Sequence, residues 1–164
     1  MISLTYRRSM MMSTRIALAE IPKPLYAAMM TVESYVRESG LPLELLELVR
    51  LRASQINGCA YCVDMHYKDA VAAGFDPLKL NAVVVWREMA CFDDKERAAL
   101  ALTETLTLVA EQKVEDALME KVISLFGHAQ AANLALAIAQ INSWNRLTKL
   151  FAYEPGSYQV GQFD

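Results

Sequence analysis

Residues 47–66 read ELVRLRASQINGCAYCVDMH, and the middle of that stretch, Asn57-Gly58, is a helix stop. Both residues tolerate the left-handed conformation that closes a helix at its C-terminus. Before the stop, Leu45, Leu48, Val49, Arg52, Ala53 and Ile56 fall on one stripe at helical spacing behind Pro42. After it, a second helix is predicted from Cys59 to about Ala73, ended by Gly74. A two-residue turn makes the two helices antiparallel, so residues equidistant from it lie side by side. Glu47 and His66 are such a pair, because their midpoint falls between Ile56 and Asn57.

The same stretch concentrates reactive groups. Cys59, Cys62 and His66 stand at i, i+3 and i+7, on one face of the second helix, and Cys62 and His66 are close enough to touch. The Glu47 carboxylate can then reach the imidazole, and the imidazole the sulfur, which is the nucleophile, base and orienter arrangement applied to a thiol. Cysteines in a first helical turn face unpaired N–H groups and the positive end of the dipole, both of which favour the thiolate. A neighbouring thiol can resolve a sulfenic acid into a disulfide. Two other readings stand beside this one: a buried cluster of soft residues, and a zinc site with Glu47 or water as fourth ligand. A metal-binding pair is more at home in a turn than along one helix face, and neither a metal nor a cofactor is assigned.

Outward from this core the pattern stays helical. Pro22 and Pro24 precede a helix from about Leu25 to Glu38 that Gly40 stops. Asp76-Pro77 opens one or two short helices through about Met89, and Asp93 or Asp94 caps another from Lys95 to about Glu111. Helices from about Val114 to Phe126 and from Ala129 to Phe151 are separated by Gly127-His128, with His128 a helix-start residue. With no run of alternating β-branched residues, the fold class is all-α, a single-domain bundle of about six to eight helices. Residues 1–21 are expected to form an N-terminal arm, 22–153 the domain and 154–164 a C-terminal tail that reads as an arm. Met29-Met30 is core or interface filler. From Ala131 to Ile141 the last helix is apolar almost all round, which predicts a central helix or one packed on another subunit, and hence a homo-oligomer.

Composition narrows the function classes. The 164 residues are 54% hydrophobic and 21% charged, which excludes disorder. No run of roughly 18 apolar residues argues for a membrane span, since Asn133, Gln140 and Asn142 interrupt the most apolar stretch. A net charge of −3 with interspersed signs argues against nucleic acid as a partner. Arg7-Arg8 is not followed by a continuous apolar segment, so no export signal is read, and Met10-Met11-Met12 offers an alternative start. The odd count of three cysteines fits a reducing cytoplasm, with Cys91 expected to be a buried, inert thiol.

Residues 47–66 resemble the core of the alkylhydroperoxidase D family, within the carboxymuconolactone decarboxylase superfamily. Its signature is a Glu, a Cys-x-x-Cys pair twelve residues on, and a His four after the second Cys, matched here by Glu47, Cys59, Cys62 and His66. A weaker match is NSWNR at 142–146, similar to an Asn-Arg pattern in the family's last helix; by themselves Trp144, Asn145 and Arg146 read as packing and capping groups at a subunit contact, with the shaping of a substrate pocket as the alternative. The resemblance implies an all-α fold that assembles as trimers or hexamers and a thiol peroxidase that reduces a hydroperoxide substrate. It makes Cys62 the cysteine that becomes sulfenic acid, Cys59 its proton donor and resolving partner, and Glu47 and His66 the proton relay. It also implies a thiol reductant, in the best-known members a lipoyl-bearing protein. Those members carry His immediately before the second Cys, where this chain has Tyr61. The competing functions are a non-redox, decarboxylase-like enzyme of the superfamily and a redox-sensing or metal-binding oligomer without turnover.

Overall fold

A computed structural model describes residues 14–163, and every regular element among them is helical. Arg7-Arg8 and Met10-Met11-Met12 lie outside the described residues. After a short 3₁₀ turn, Leu18–Glu20, come α1 (Lys23–Glu38), α2 (Leu43–Ile56), α3 (Ala60–Ala72), α4 (Pro77–Ala82), a 3₁₀ segment (Val83–Glu88), α5 (Asp94–Thr107) and α6 (Asp116–Phe151). The starts follow local chemistry. Pro22 and Pro42 precede α1 and α2, where a missing N–H costs nothing. Asp76 accepts the Leu78 N–H at 2.9 Å, and Asp93 and Glu96 close a reciprocal capping box at 2.8 and 2.9 Å. The break expected at Gly127-His128 is present as a kink inside α6, where Gly127 has φ 75° and ψ 163°, a conformation essentially confined to glycine.

α2 is the element around which the others assemble. Its Leu45, Leu46 and Val49 join Val36 of α1, Ala98, Ala99 and Leu102 of α5 and Leu134, Ala137 and Ile138 of α6 in one apolar cluster. Its Leu48 and Leu51 join Ala70, Leu80, Val83, Trp86, Phe92 and Leu100 in a second. A helix buried in two directions gains roughly 1.5–3 kcal/mol for each such leucine, so α2 is held more firmly than its weak amphipathicity suggests. The all-round apolar α6 is not enclosed to the same degree. Its Leu134 and Ile138 are in the core while Ala132, Leu136 and Ala139 face outward. By length and composition α6 matches a membrane-crossing helix, yet Gln140 bonds the Met29 carbonyl, Asn142 bonds Thr107 and Asn145 bonds Ser54, as in a core helix of a bundle.

Two local expectations are corrected. Cys91 is exposed, because the turn before α5 puts the larger Phe92 into the core and its neighbour outward. The residues after α6 are not a free arm up to residue 163: the Tyr158 hydroxyl donates to Asp69 at 2.8 Å, and the Lys68 ammonium donates to the Tyr158 carbonyl at 3.0 Å, which lays this segment along α3.

Candidate active site

The turn between α2 and α3 is tight because Gly58, at φ 62°, lets the chain reverse, and the Cys59 N–H donates to the Ser54 carbonyl at 3.0 Å. That reversal brings Glu47 opposite His66: the imidazole Nδ1 lies 2.9 Å from Glu47 Oε2. Cys59 is the N-cap of α3 and Cys62 sits in its first turn, joined to each other in a disulfide with Cα atoms 5.3 Å apart. Their exposures are 2% and 1%, so neither sulfur is on the outer surface. Reduction would release two thiols at a helix N-terminus, where the dipole and free N–H groups favour a thiolate.

Glu47 is more than a partner for His66. Burial pushes its carboxyl up, but His66 and Arg50 override that and hold it at about 2. The Arg50 guanidinium donates to Glu47 Oε1 at 2.7 Å and, with its other terminal nitrogen, to Glu33 of α1. A hydrogen-bonded chain thus runs Glu33, Arg50, Glu47, His66. Arg50 stands three residues after Glu47 and so shares its face, a signal present in the residues but easily taken for an ordinary surface pair. Glu33, on another helix, had no such signal.

The cysteine-bearing turn is tied to α6. Asn57 donates through Nδ2 to Asn142 at 2.9 Å and Asn145 at 2.8 Å, Asn145 donates to Ser54 Oγ at 3.0 Å, and the Lys149 ammonium reaches the Asn57 carbonyl at 2.6 Å. Asn145 is fully buried. The NSWNR segment therefore positions the turn from within the chain.

A cavity of about 120 Å³ reaches Cys62, His66 and Glu47 but not Cys59. Space of this order holds a single small organic molecule. Aromatic rings from three parts of the chain contribute to its wall. Tyr26 meets Trp144 edge-on at 6.4 Å between ring centres, Tyr61 meets Tyr153 at 5.4 Å, and Tyr158 packs on Tyr61 at 6.3 Å. Tyr61, in place of the histidine of the best-known peroxidases, is a wall residue whose phenol is pushed up to about 12 by burial, with Tyr153, Asp64 and Asp69 adding to it. It therefore carries no proton away near neutral pH.

The profile of the carboxymuconolactone decarboxylase family matches residues 23–105, which take in α1, the Glu47 to His66 core and most of α5. The chain belongs to this family. It is 37% identical over 137 residues to the uncharacterized protein YdfG of Bacillus subtilis, covering 84% of this chain and 93% of that one. Among solved structures it is similar to a protein of unknown function from Agrobacterium tumefaciens whose name links it to antioxidant defence and AhpD, with a TM-score of 0.82, 37% identity and coverage of 86% and 97%. A peroxidase-related protein from Silicibacter sp. superposes with a TM-score of 0.75 at 23% identity, covering 88% of this chain and 77% of that one, a likeness of fold. Within the carboxymuconolactone decarboxylase family the fold is thus alkylhydroperoxidase D-like and all-α.

Proposed function

We propose that the protein is a thiol peroxidase, acting as a homo-oligomer, that reduces a hydroperoxide through Cys62. The observation that carries this is the cavity that reaches Cys62 with His66 and Glu47 beside it, while Cys59 stays behind it at disulfide distance. In the reduced form the Cys62 proton passes to His66, whose imidazolium Glu47 stabilises. The thiolate attacks the terminal oxygen of R–O–O–H, the O–O bond breaks, and the departing alkoxide takes the proton from His66 to leave as R–OH. The Cys59 thiol then attacks the sulfenic acid at Cys62, forming the S–S bond and releasing water. A dithiol reductant, such as a lipoyl-bearing protein, returns both cysteines to thiols and leaves as a disulfide.

Intact-mass measurement after one equivalent of hydroperoxide tests the scheme. Wild type is expected to lose two hydrogens per chain. Cys59→Ser is expected to react once and hold a sulfenic acid at Cys62, and Cys62→Ser to be inert. Oxidation confined to Cys59 in Cys62→Ser would reverse the assignment.

A further inference from the structure

Among the described residues, two buried side-chain nitrogen or oxygen atoms lack a hydrogen-bond partner, His66 Nε2 and Tyr153 Oη. Both residues belong to the wall of the cavity that reaches Cys62. A buried polar group without a partner is costly, and folded proteins satisfy nearly all of them, so two on one cavity point to a ligand that supplies what the protein does not. His66 Nε2 is accounted for by the proton it takes from Cys62. Tyr153 has no such role in the scheme above.

We infer that Tyr153 is a substrate-binding residue, its Oη donating a hydrogen bond to the hydroperoxide oxygen that departs with the carbon group. The inference rests on the peroxidase reading and deepens it. Its ring is fixed between Tyr61, at 5.4 Å, and Phe151, at 5.9 Å, so the hydroxyl has little freedom to find another partner. The residue before it, Ala152, has φ 59° and ψ 49°, and it is the one non-glycine residue with positive φ among those described. That left-handed step is unfavourable for alanine, and it is what turns the chain out of α6 and back over the cavity. Burial, with Tyr26 adding to it, pushes the Tyr153 phenol above its ordinary value, so it stays a donor at neutral pH. The form that meets hydroperoxide is the reduced one, in which the Cys62 side chain on the same wall is no longer tied to Cys59. As sulfur attacks the terminal oxygen, negative charge collects on the other oxygen, and a fixed donor there stabilises the transition state more than the ground state.

Tyr153→Phe removes the hydroxyl and keeps the ring. Loss of an unpartnered buried hydroxyl should leave Tm unchanged or raise it; a lower Tm would show that Oη had a partner and overturn the assignment. The rate of Cys62 oxidation by cumene hydroperoxide, whose alkoxide is a poor leaving group, is expected to fall about tenfold or more, and the rate with perbenzoic acid, which releases a stable carboxylate, to stay within about twofold. Equal losses with both oxidants, or no loss with cumene hydroperoxide, would overturn it. A chemical-shift titration of the reduced protein with 2-phenylpropan-2-ol separates this inference from the peroxidase reading. Binding roughly three- to tenfold weaker in Tyr153→Phe supports the contact even if wild type consumes no hydroperoxide, in which case the peroxidase reading alone falls. Equal affinity in the two proteins overturns the contact.

Discussion

At the scale of single residues, Glu47 carries the strongest electrostatic signature. Its carboxyl is held at about 2 against an ordinary 4.5. A depressed carboxyl contributes stability that is complete above its ordinary value and is lost as pH falls toward the folded one, here between about 4.5 and 2. The contribution is roughly 3 kcal/mol, so urea midpoints of wild type should fall over that window and those of Glu47→Gln should fall less. The same variant removes the charge that supports the imidazolium. The pH midpoint for alkylation of Cys62 by iodoacetamide is expected to rise and the rate of oxidation at neutral pH to drop tenfold or more, since acid and base contributions of this kind are worth about 10²–10⁴. An unchanged midpoint and rate would reduce Glu47 to a structural charge. Glu47 and His66 could be paired from their distance to Asn57-Gly58 because an antiparallel hairpin of helices converts sequence distance into spatial distance. Arg50 and Glu33 could not, since which cation meets which carboxylate depends on how α1 lies across α2.

Among the elements, α6 does two jobs, and each can be tested. Its C-terminal half anchors the cysteine turn through Asn145, which accepts from Asn57 at 2.8 Å and donates to Ser54 at 3.0 Å with no exposure to solvent. Asn145→Ala strands the Ser54 hydroxyl and one Asn57 amide contact, so urea denaturation should show a loss of about 1–3 kcal/mol or more. It should also slow reoxidation of Cys59 and Cys62, because the turn that holds them at disulfide distance is loosened. Its N-terminal part ends at Gly127, where an added Cβ would meet nothing within 4 Å. The open space does not rescue Gly127→Ala, since φ 75° with ψ 163° is forbidden to a side chain by its own backbone, and a cost of about 1–3 kcal/mol is expected. An unchanged Tm would mean that the kink relaxes into a straight helix.

For the molecule as a whole, the outward face of α6 is the feature that a single chain leaves unused. Ala132, Leu136, Ala139 and Ser143 are exposed at helical spacing along α6, and the first three are apolar. With a second copy covering that stripe, light scattering should give an oligomer for wild type and a smaller species for Leu136→Asp, which buries a charge at the contact. A wild type that is monomeric at micromolar concentration would leave the stripe as ordinary surface.

From the residues alone followed the all-α class, the helix stops at Gly40, Asn57-Gly58, Gly74 and Gly127, and the meeting of Glu47 with His66 beside a Cys pair. Each of these is local: a cap, a period of 3.6, or a tight turn acts over a few residues and leaves its mark in their order. Only the tertiary structure decided what surrounds Cys62. Tyr26, Trp144, Tyr153 and Tyr158 come from α1, from α6 and from the segment after it, and no periodicity links them to residues 47–66. Cys91 and Phe92 make the same point in reverse, since neighbours in sequence were sorted to outside and inside by the space available next to α5. Packing chooses among side chains by volume and by the helix that happens to face them, and that choice is a property of the assembled bundle.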